Sequence, residues 1–320
     1  MRVIEYRTFR NGDPPHIADT WARATLGPWT MFPLTSALLE DRVFSRTYFD
    51  PQGLFVATED GKIVGFAHAA RGPDSSGSGL SLTEGTTLLV IVEPHQDREG
   101  IADELLRRCE RFLIDRGVSV LFGGGDASRR CFYFGLYGGA DLPGILDSLP
   151  DMKNLFLRAG YSESKRISIL SRSIIGYRPK VDRLQIAIKR KTQLKSFDMP
   201  AFRTWWEAAS LSGIGLRRYE LFNASAELLG ACTIWDMQPF SSSRSTAVAG
   251  LLSVDIMGTR RREGLAYYLV AWAMHDLAAQ GVAQIETQAP CSNAAAMHLF
   301  EKLGFIELER GTVFRKEIAS

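Results

Sequence analysis

The chain has 320 residues, of which 45% are hydrophobic and 23% are charged, and its formal net charge is +2. This composition is typical of a folded globular protein and excludes extensive disorder, and so small a net charge does not favour nucleic acid as a partner. No stretch approaches the roughly 20 apolar residues of a membrane-spanning helix, and the charged N-terminus lacks a secretion signal, so we expect a cytoplasmic protein that binds neither nucleic acid nor membrane.

The first half opens with strands and continues with a strand, a turn and a helix. We predict early strands at three segments: Val3 to Phe9, Leu54 to Thr58 and Ile63 to Ala70. An apolar run at 88–92 then predicts a buried strand that leads into a turn containing Gly100. Apolar residues at intervals of three and four follow, and they predict an amphipathic helix that ends at Gly117.

The segment 123–150 distinguishes the first half of the chain from the second. It is rich in glycine and in aromatic residues, which favour burial, so we predict an ordered loop rather than a flexible linker. A short helix closed by Gly160 follows this loop and precedes a further strand.

The second half repeats the strand, the turn and the helix. An apolar run at 251–256 precedes a turn with Gly264, and a helical pattern ends at Gly281. The turn glycine and the closing glycine are 17 residues apart in both halves, which favours a repeated unit over chance. We therefore predict two domains: residues 1–178, which carry the extra loop at 123–150, and residues 179–320.

The turn of the second copy has the chemistry of a phosphate-binding loop. A strand that enters a glycine-containing turn before a helix directs backbone N–H groups and the positive helix end to one point. Arg261 and Arg262 can pair with phosphate oxygens there, and Gly264 permits close approach. The glycine spacing of a dinucleotide site and the Gly-Lys-Ser/Thr ending of a P-loop are both missing. A solvated basic turn is the alternative, and the repetition argues against it.

These residues match a known pattern. The turn at 261–266 resembles the acetyl-CoA pyrophosphate loop of GNAT N-acetyltransferases, Gln/Arg-x-x-Gly-x-Gly/Ala. The segment 293–305 resembles the second cofactor motif of that family, an asparagine followed by a short helix that ends in Gly-Phe. In the first half Gly100 fits the loop pattern, whereas Asp97 replaces the expected Gln or Arg and is followed by Arg98. The chain is therefore similar to tandem GNAT proteins.

The resemblance implies a fold and a cofactor site. The fold would be of the α/β class, with two tandem units, each a mixed twisted sheet with helices on both faces and a gap between the fourth and fifth strands that receives pantetheine. The better site for acetyl-CoA, the cosubstrate, would be in the second half: Val254, Ile256, Arg261, Arg262, Gly264, Leu265, Ala266, Asn293 and Phe300. The first-half counterparts would be Val90, Val92, Arg98, Gly100 and Ala102.

Direct transfer of an acetyl group requires a neutral amine, so a protonated amine substrate needs a base or a water relay that removes a proton. Asp255, in the second apolar run, is the candidate base, and Glu84 is its counterpart by role in the first half. In this family a tyrosine often protonates the departing thiolate, and it lies in the short helix that ends, in the two halves of this chain, at Gly160 and Gly304. The corresponding residues here are Phe156 and Phe300. In the first half, Tyr133 or Tyr137 in the extra loop is a candidate for approaching the sulfur. The alternative role for Asp255 is to accept structural hydrogen bonds, and the alternative for the loop tyrosines is packing in the core.

The sequence leaves several functions open. It favours an N-acetyltransferase that acts on a small-molecule or peptide amine. The replacements at Asp97, Phe156 and Phe300 leave a non-catalytic acyl-CoA-binding or regulatory protein as the alternative, and an interaction scaffold as a third function. No metal site is predicted, because the histidines lack ligand spacing and the four cysteines are too scattered for a zinc site or a disulfide framework.

Overall fold

The computed structural model describes residues 3–237 and 246–318, and the structural statements below concern these residues. The strands are β1 (Ile4–Thr8), β2 (Leu54–Glu59), β3 (Lys62–Ala70), β4 (Glu84–Val92), β5 (Val120–Gly123), β6 (Ile145–Leu146), β7 (Ser162–Ser173), β8 (Thr192–Asp198), β9 (Leu216–Asn223), β10 (Leu228–Asp236), β11 (Val248–Ile256), β12 (Gln284–Pro290) and β13 (Ile306–Glu317). The helices are α1 (Pro14–Arg23), α2 (Ser36–Leu39), α3 (Arg98–Ile114), α4 (Pro150–Arg158), α5 (Arg183–Lys191), α6 (Trp205–Leu211), α7 (Leu265–Ala279) and α8 (Ala294–Lys302).

The described residues form two compact units, and each unit is assembled from separate segments of the chain. The first unit comprises the described parts of three segments: Met1–Ile167, Phe202–Ser212 and Glu309–Ser320. The second unit comprises the described parts of two others: Ser168–Ala201 and Gly213–Leu308. Strands β7 and β13 are therefore each divided between the units. The predicted boundary between residues 178 and 179 follows the sequence repeat and stays a prediction.

The sheet of the first unit begins with an antiparallel meander of β1 to β4, and β5 joins β4 in parallel. The end of the chain extends this sheet, because β13 pairs antiparallel with β5 and places Phe314 opposite Gly123. Helix α3 packs against β2, β3 and β4, and buries Leu105, Cys109 and Leu113 along one face. The spacing of these residues is the one that the sequence predicts for an amphipathic helix.

The sheet of the second unit has the same order of elements. Strands β8 to β11 are antiparallel neighbours, and β12 joins β11 in parallel. The part of β7 in this unit lies beside β12, where Ser171 Oγ donates a hydrogen bond to the Ile285 carbonyl at 3.3 Å. Helix α7 packs against β9, β10 and β11, and α5 packs against α7 and β8. Much of the α7 surface is buried, including Leu269, Ala273 and Leu277.

Both sheets open at the same place. In each unit the parallel pairing of the fourth and fifth strands ends early, after these ladders: Glu84–Thr87 with Val120–Gly123, and Val248–Leu251 with Gln284–Thr287. A β-bulge follows, at Leu88 in β4 and at Leu252 in β11. These two bulges are 164 residues apart, as are Gly100 and Gly264. Beyond the bulge, each fourth strand continues without pairing to the fifth, which leaves the predicted gap.

These features confirm the predicted fold class, a mixed sheet with packed helices that occurs twice. The helix starts differ between the units, since α7 begins directly after Gly264, whereas α3 already begins at Arg98, before the turn glycine. The extra loop at 123–150 contains little regular structure, and the rings of Phe132 and Tyr133 within it are buried.

Candidate functional site

A cavity of about 840 Å³ opens in the second unit where β11 and β12 part. Its walls are formed by β11, the loop and first turn of α7, the end of β12, and α8. It is lined by all the second-half residues predicted from the sequence: Val254, Asp255, Ile256, Arg261, Arg262, Gly264, Leu265, Ala266, Asn293 and Phe300. The fold thus brings two motifs that are separate in the sequence to one cavity.

The closed end of this cavity is the point where the two parallel strands separate. Leu251 and Thr287 form the last pair, and Thr287 Oγ1 donates a hydrogen bond to the Leu251 carbonyl at 2.9 Å. Beyond the bulge at Leu252, β11 pairs only with β10 on its other side. Backbone groups near Val254 and Ile256 that point toward the gap therefore have no strand partner and can bond a ligand.

The loop between β11 and α7 is shaped by two residues with positive φ. Arg262 has a φ of 66° and Gly264 a φ of 80°, and the helix begins at Leu265. The first four N–H groups of a helix have no partner within it, and the helix dipole places positive potential beside them. A Cβ on Gly264 would lie 2.9 Å from Leu184 Cδ2, and a positive φ is costly for any residue with a Cβ. Glycine satisfies both constraints.

The cavity is basic at its loop and acidic at its strand. Arg260, Arg261 and Arg262 line the loop side, and Asp255 is the one acidic residue among the described residues of the lining. Arg260 pairs with Glu263 at 2.9 Å, whereas neither of the other two arginines forms an ion pair with a described residue. Unpaired guanidinium groups beside a helix N-terminus form a suitable site for an anion such as a phosphate.

Asp255 lies beyond the bulge of β11, opposite Ala231 of β10. Its side chain is exposed and lines the cavity, and it has no hydrogen bond or ion pair with any described residue. Among the described residues, the Asp255 carboxylate thus accepts none of the structural hydrogen bonds that the alternative role requires. An accessible and unpaired carboxylate can take a proton from a ligand.

Helix α8 forms the wall across from the α7 loop. Asn293 caps this helix, because its side chain accepts a hydrogen bond from the Ala296 N–H at 3.1 Å. Phe300 is 5% exposed and lines the cavity. Tyr267 and Thr287 are among the further lining residues that were not predicted from the sequence. The place of Tyr267 in the first turn of α7, directly after the loop motif, is the signal that could have identified it.

The corresponding cavity of the first unit is smaller, about 250 Å³. Four of the five predicted first-half residues line it: Val90, Val92, Arg98 and Ala102. Gly100 does not, and a Cβ on Gly100 would collide with the carboxylate of Asp97, which therefore lies against the start of α3. Arg98 forms an ion pair with Asp151 at 2.9 Å. In the first unit the Asp97 carboxylate thus stands at the sequence position that Arg261 has in the second unit. The neighbouring Arg98 is already paired with Asp151.

The other two first-half candidates lie away from this cavity. Glu84 lines a separate depression of about 680 Å³, where it faces Arg129 at 3.4 Å. Tyr133 is buried, and its hydroxyl lies 3.1 Å from His68 Nδ1. Burial raises the pKa of Tyr133 and lowers the pKa of His68 to about 3, so both groups are neutral at pH 7.

The described residues contain no group of three or more His, Cys, Asp or Glu side chains that could hold a metal ion. Within the same residues, no helix is both long and apolar enough to span a bilayer. Three of the cysteines are buried, and Cys291 is exposed.

Comparison with known proteins gives one family. The model described as "Acetyltransferase (GNAT) family" matches residues 17–134 and 186–305. A tandem GNAT protein from the clavulanic acid biosynthesis pathway is similar in structure, with a TM-score of 0.67 and 14% identity over 99% of each chain. A GCN5-related N-acetyltransferase from Sphaerobacter thermophilus gives a TM-score of 0.66 and 15% identity over 99% of this chain and 96% of that one.

A third similar structure is the GCN5-related glucosamine N-acetyltransferase region of a fungal multi-domain GH3 beta-N-acetylglucosaminidase. It aligns with a TM-score of 0.72 and 14% identity over 99% of this chain, which spans 38% of that protein's length. No curated protein matches the sequence. At these identities the solved structures establish the fold alone.

Proposed function

The chain belongs to the acetyltransferase (GNAT) family, and we propose that it transfers an acetyl group from acetyl-CoA to an amine, with the cofactor held by the second unit. Family membership supports acyl transfer from acyl-CoA. The acetyl group, the amine and the choice of unit are our proposal. One observation carries it: the cavity of about 840 Å³ joins a gap between strands to two arginines and one acid, none of which forms an ion pair with a described residue.

The residues of this cavity fit the parts of a CoA molecule. The pyrophosphate would be bound by Arg261, Arg262 and the N–H groups at the start of α7, since these are unpaired donors beside a helix N-terminus. The pantetheine amides would pair with the free backbone edge of β11 near Val254 and Ile256. The volume lies within the roughly 300 to 1,000 Å³ that is usual for ligand cavities.

Asp255 would act as the general base. It would take a proton from the ammonium form of the acceptor, directly or through one water, and leave a neutral amine. The amine nitrogen then attacks the thioester carbonyl carbon and a C–N bond forms. The C–S bond breaks as the thiolate departs, and the nitrogen releases its surplus proton to water, while the thiolate takes up a proton from water. A backbone N–H of β11 at the gap would stabilise the negative charge on the carbonyl oxygen.

The departing thiolate has no tyrosine to protonate it at the predicted place, because Phe300 stands there. A thiol has a pKa of about 8.5, so its anion is a tolerable leaving group and can take a proton from water. We propose that this enzyme releases the thiolate without an acid from α8. The same observation motivates the alternative function, a protein that binds acyl-CoA without turning it over.

The first unit is the weaker candidate for acetyl-CoA. Its cavity is the smaller one, the Asp97 carboxylate lies at the helix start, and Arg98 is paired with Asp151. A carboxylate at that place repels a pyrophosphate, and a paired arginine gains less from binding it. Neither Glu84 nor Tyr133 lines this cavity. The catalytic roles of these two residues stay predictions.

The chemistry of the site and the composition of the chain support a proposal for the acceptor class. We propose a small-molecule or peptide amine, because Asp255, the one acid among the described residues of the cavity lining, can accept a proton from a cationic nitrogen. The net charge of +2 gives no reason to expect nucleic acid. A cytoplasmic location and the absence of a membrane partner remain part of the proposal.

A turnover assay tests this function. Free thiol released from acetyl-CoA is measured with a panel of small amines and peptides, for the wild-type protein and for Arg261→Glu. Arg98→Glu in the first unit is the matched charge reversal. We expect amine-dependent release that Arg261→Glu abolishes and Arg98→Glu preserves. Saturable acetyl-CoA binding without release on any amine would instead support the non-catalytic alternative.

A further inference from the structure

Thr287 stands at the closed end of the cavity. It is 2% exposed and forms, with Leu251, the last pair of β11 and β12 before the gap. Its hydroxyl donates to the Leu251 carbonyl at 2.9 Å, which fixes the orientation of a side chain that is already stiff because it is β-branched. The point where the two strands separate is therefore occupied by a rigid side chain.

The first unit shows the same place without a side chain. Gly123 forms the last pair of β4 and β5 with Thr87, and it precedes Thr287 by the same 164 residues that separate the two bulges. A Cβ on Gly123 would lie 2.6 Å from ring carbons of Phe156. The Phe156 ring, which belongs to α4, thus fills the space that a side chain at position 123 would take. It is fully buried there and stacks on Phe314 with 5.7 Å between ring centroids.

Phe300 of the second unit corresponds to Phe156, because each precedes the glycine that closes its helix by four residues, Gly304 or Gly160. The two phenylalanines differ in their surroundings. Phe156 lies against Gly123 and does not line the smaller cavity, whereas Phe300 lines the larger one. The two units also differ at the strand vertex, the point where the fifth strand separates from the fourth, which is Gly123 in the first unit and Thr287 in the second.

We propose that Thr287 is a positioning residue that keeps the cavity of the second unit open, because its side chain excludes the Phe300 ring from the strand vertex. This inference rests on the proposed function, since it concerns the same site. Without the side chain, the ring would move to the vertex, as protein interiors close around missing groups where they can. The space for the acyl end of the ligand would then be lost. The hydroxyl group of Thr287 orients the side chain, and the volume of that side chain keeps the Phe300 ring away from the strand vertex.

Two variants separate volume from hydrogen bonding. Thr287→Gly removes the side chain, and Thr287→Val keeps its shape without the hydroxyl. Calorimetric titration with acetyl-CoA should give a dissociation constant at least about tenfold higher for Thr287→Gly and within about threefold of wild type for Thr287→Val. Wild-type affinity in the glycine variant overturns the proposal, and so does an equal loss in both variants. Thermal melting verifies folding, and Thr287→Ala replaces the glycine variant if that one does not fold.

A second readout needs no ligand. Crystal structures of wild type and Thr287→Gly without acetyl-CoA should show the Phe300 ring displaced against the Cα of position 287 in the variant, as Phe156 lies against Gly123. A ring that stays in place overturns the inference. If the ring moves but wild type binds no acetyl-CoA, the positioning role stands and the proposed function fails, so the two failures are distinguishable.

Discussion

The conformation of Gly264 allows a quantitative test of the α7 loop. Its φ is 80°, and an added Cβ would lie 2.9 Å from Leu184 Cδ2. In Gly264→Ala, a left-handed conformation would cost about 1 to 2 kcal/mol. The free loop can relieve this strain by changing shape, but a bound pyrophosphate requires the original shape. Binding must then supply that energy, so we expect acetyl-CoA affinity to fall about 5-fold to 30-fold, because 1.4 kcal/mol corresponds to tenfold.

Gly281 provides the matched control at the other end of the same helix. Its φ is 90°, and a Cβ there would meet nothing within 4 Å. Gly281→Ala should therefore carry the same backbone penalty and lower thermal stability, while leaving acetyl-CoA affinity unchanged. Calorimetry and thermal melting measure both effects in each variant. Unchanged affinity in Gly264→Ala, or an equal loss in the two variants, would refute the assignment of this loop to the ligand.

Three further predictions concern other parts of the molecule. Asp255→Asn should lower kcat by about 10² to 10⁴ without changing the acetyl-CoA dissociation constant, as expected for a general base; steady-state kinetics with an unchanged kcat would remove it from the mechanism. The double variant Asp97→Asn with Asp151→Asn should free Arg98 and create a second, weaker acetyl-CoA site, which calorimetric stoichiometry would detect and an unaltered stoichiometry would contradict. Burial lowers the pKa of His68 to about 3, below the roughly 6.5 of an unfolded histidine, so its contribution to stability is complete above pH 6.5 and is lost toward pH 3 by about 1.4 kcal/mol per pH unit. Denaturant unfolding from pH 7 to 5 should show a shallower pH dependence for His68→Asn, and identical slopes would contradict this.

The repeat and the second-unit cavity could be predicted because their signals are local. Arg261 to Ala266 form one continuous motif, and a strand that enters such a turn leads directly into a helix whose N-terminus is fixed by the chain. The second motif, from Asn293 to Gly304, is also continuous. The resemblance of these two motifs to the cofactor motifs of the GNAT family implies that they share one cavity, and the structure places them there.

The assembly of each unit from separate segments could not be predicted, because strand partners far apart in the sequence leave no local pattern. The pairing of Phe314 with Gly123 joins positions near the end and the middle of the chain. The hydrophobic alternation of β13 indicates a strand but not its neighbour. Likewise, Thr287 is part of no sequence motif. The role proposed for it depends on a comparison with Gly123, which requires the strand pairing of both units.

The first unit illustrates how one substitution changes a local structure. Asp97 stands where Arg261 stands in the second unit, and this mismatch to the family pattern is visible in the sequence. What the sequence did not reveal is that α3 begins at Arg98 and that the carboxylate lies against Gly100. An acid near a helix N-terminus is stabilised by the helix dipole, and the Asp97 carboxylate at the start of α3 would repel a phosphate there.

Calorimetric titration with acetyl-CoA of the wild-type protein, of Arg261→Glu and of Arg98→Glu counts the cofactor sites and assigns them to the units. We expect one site per chain, which Arg261→Glu abolishes and Arg98→Glu retains. A site that survives Arg261→Glu and disappears in Arg98→Glu, or no binding by the wild-type protein, would contradict this expectation.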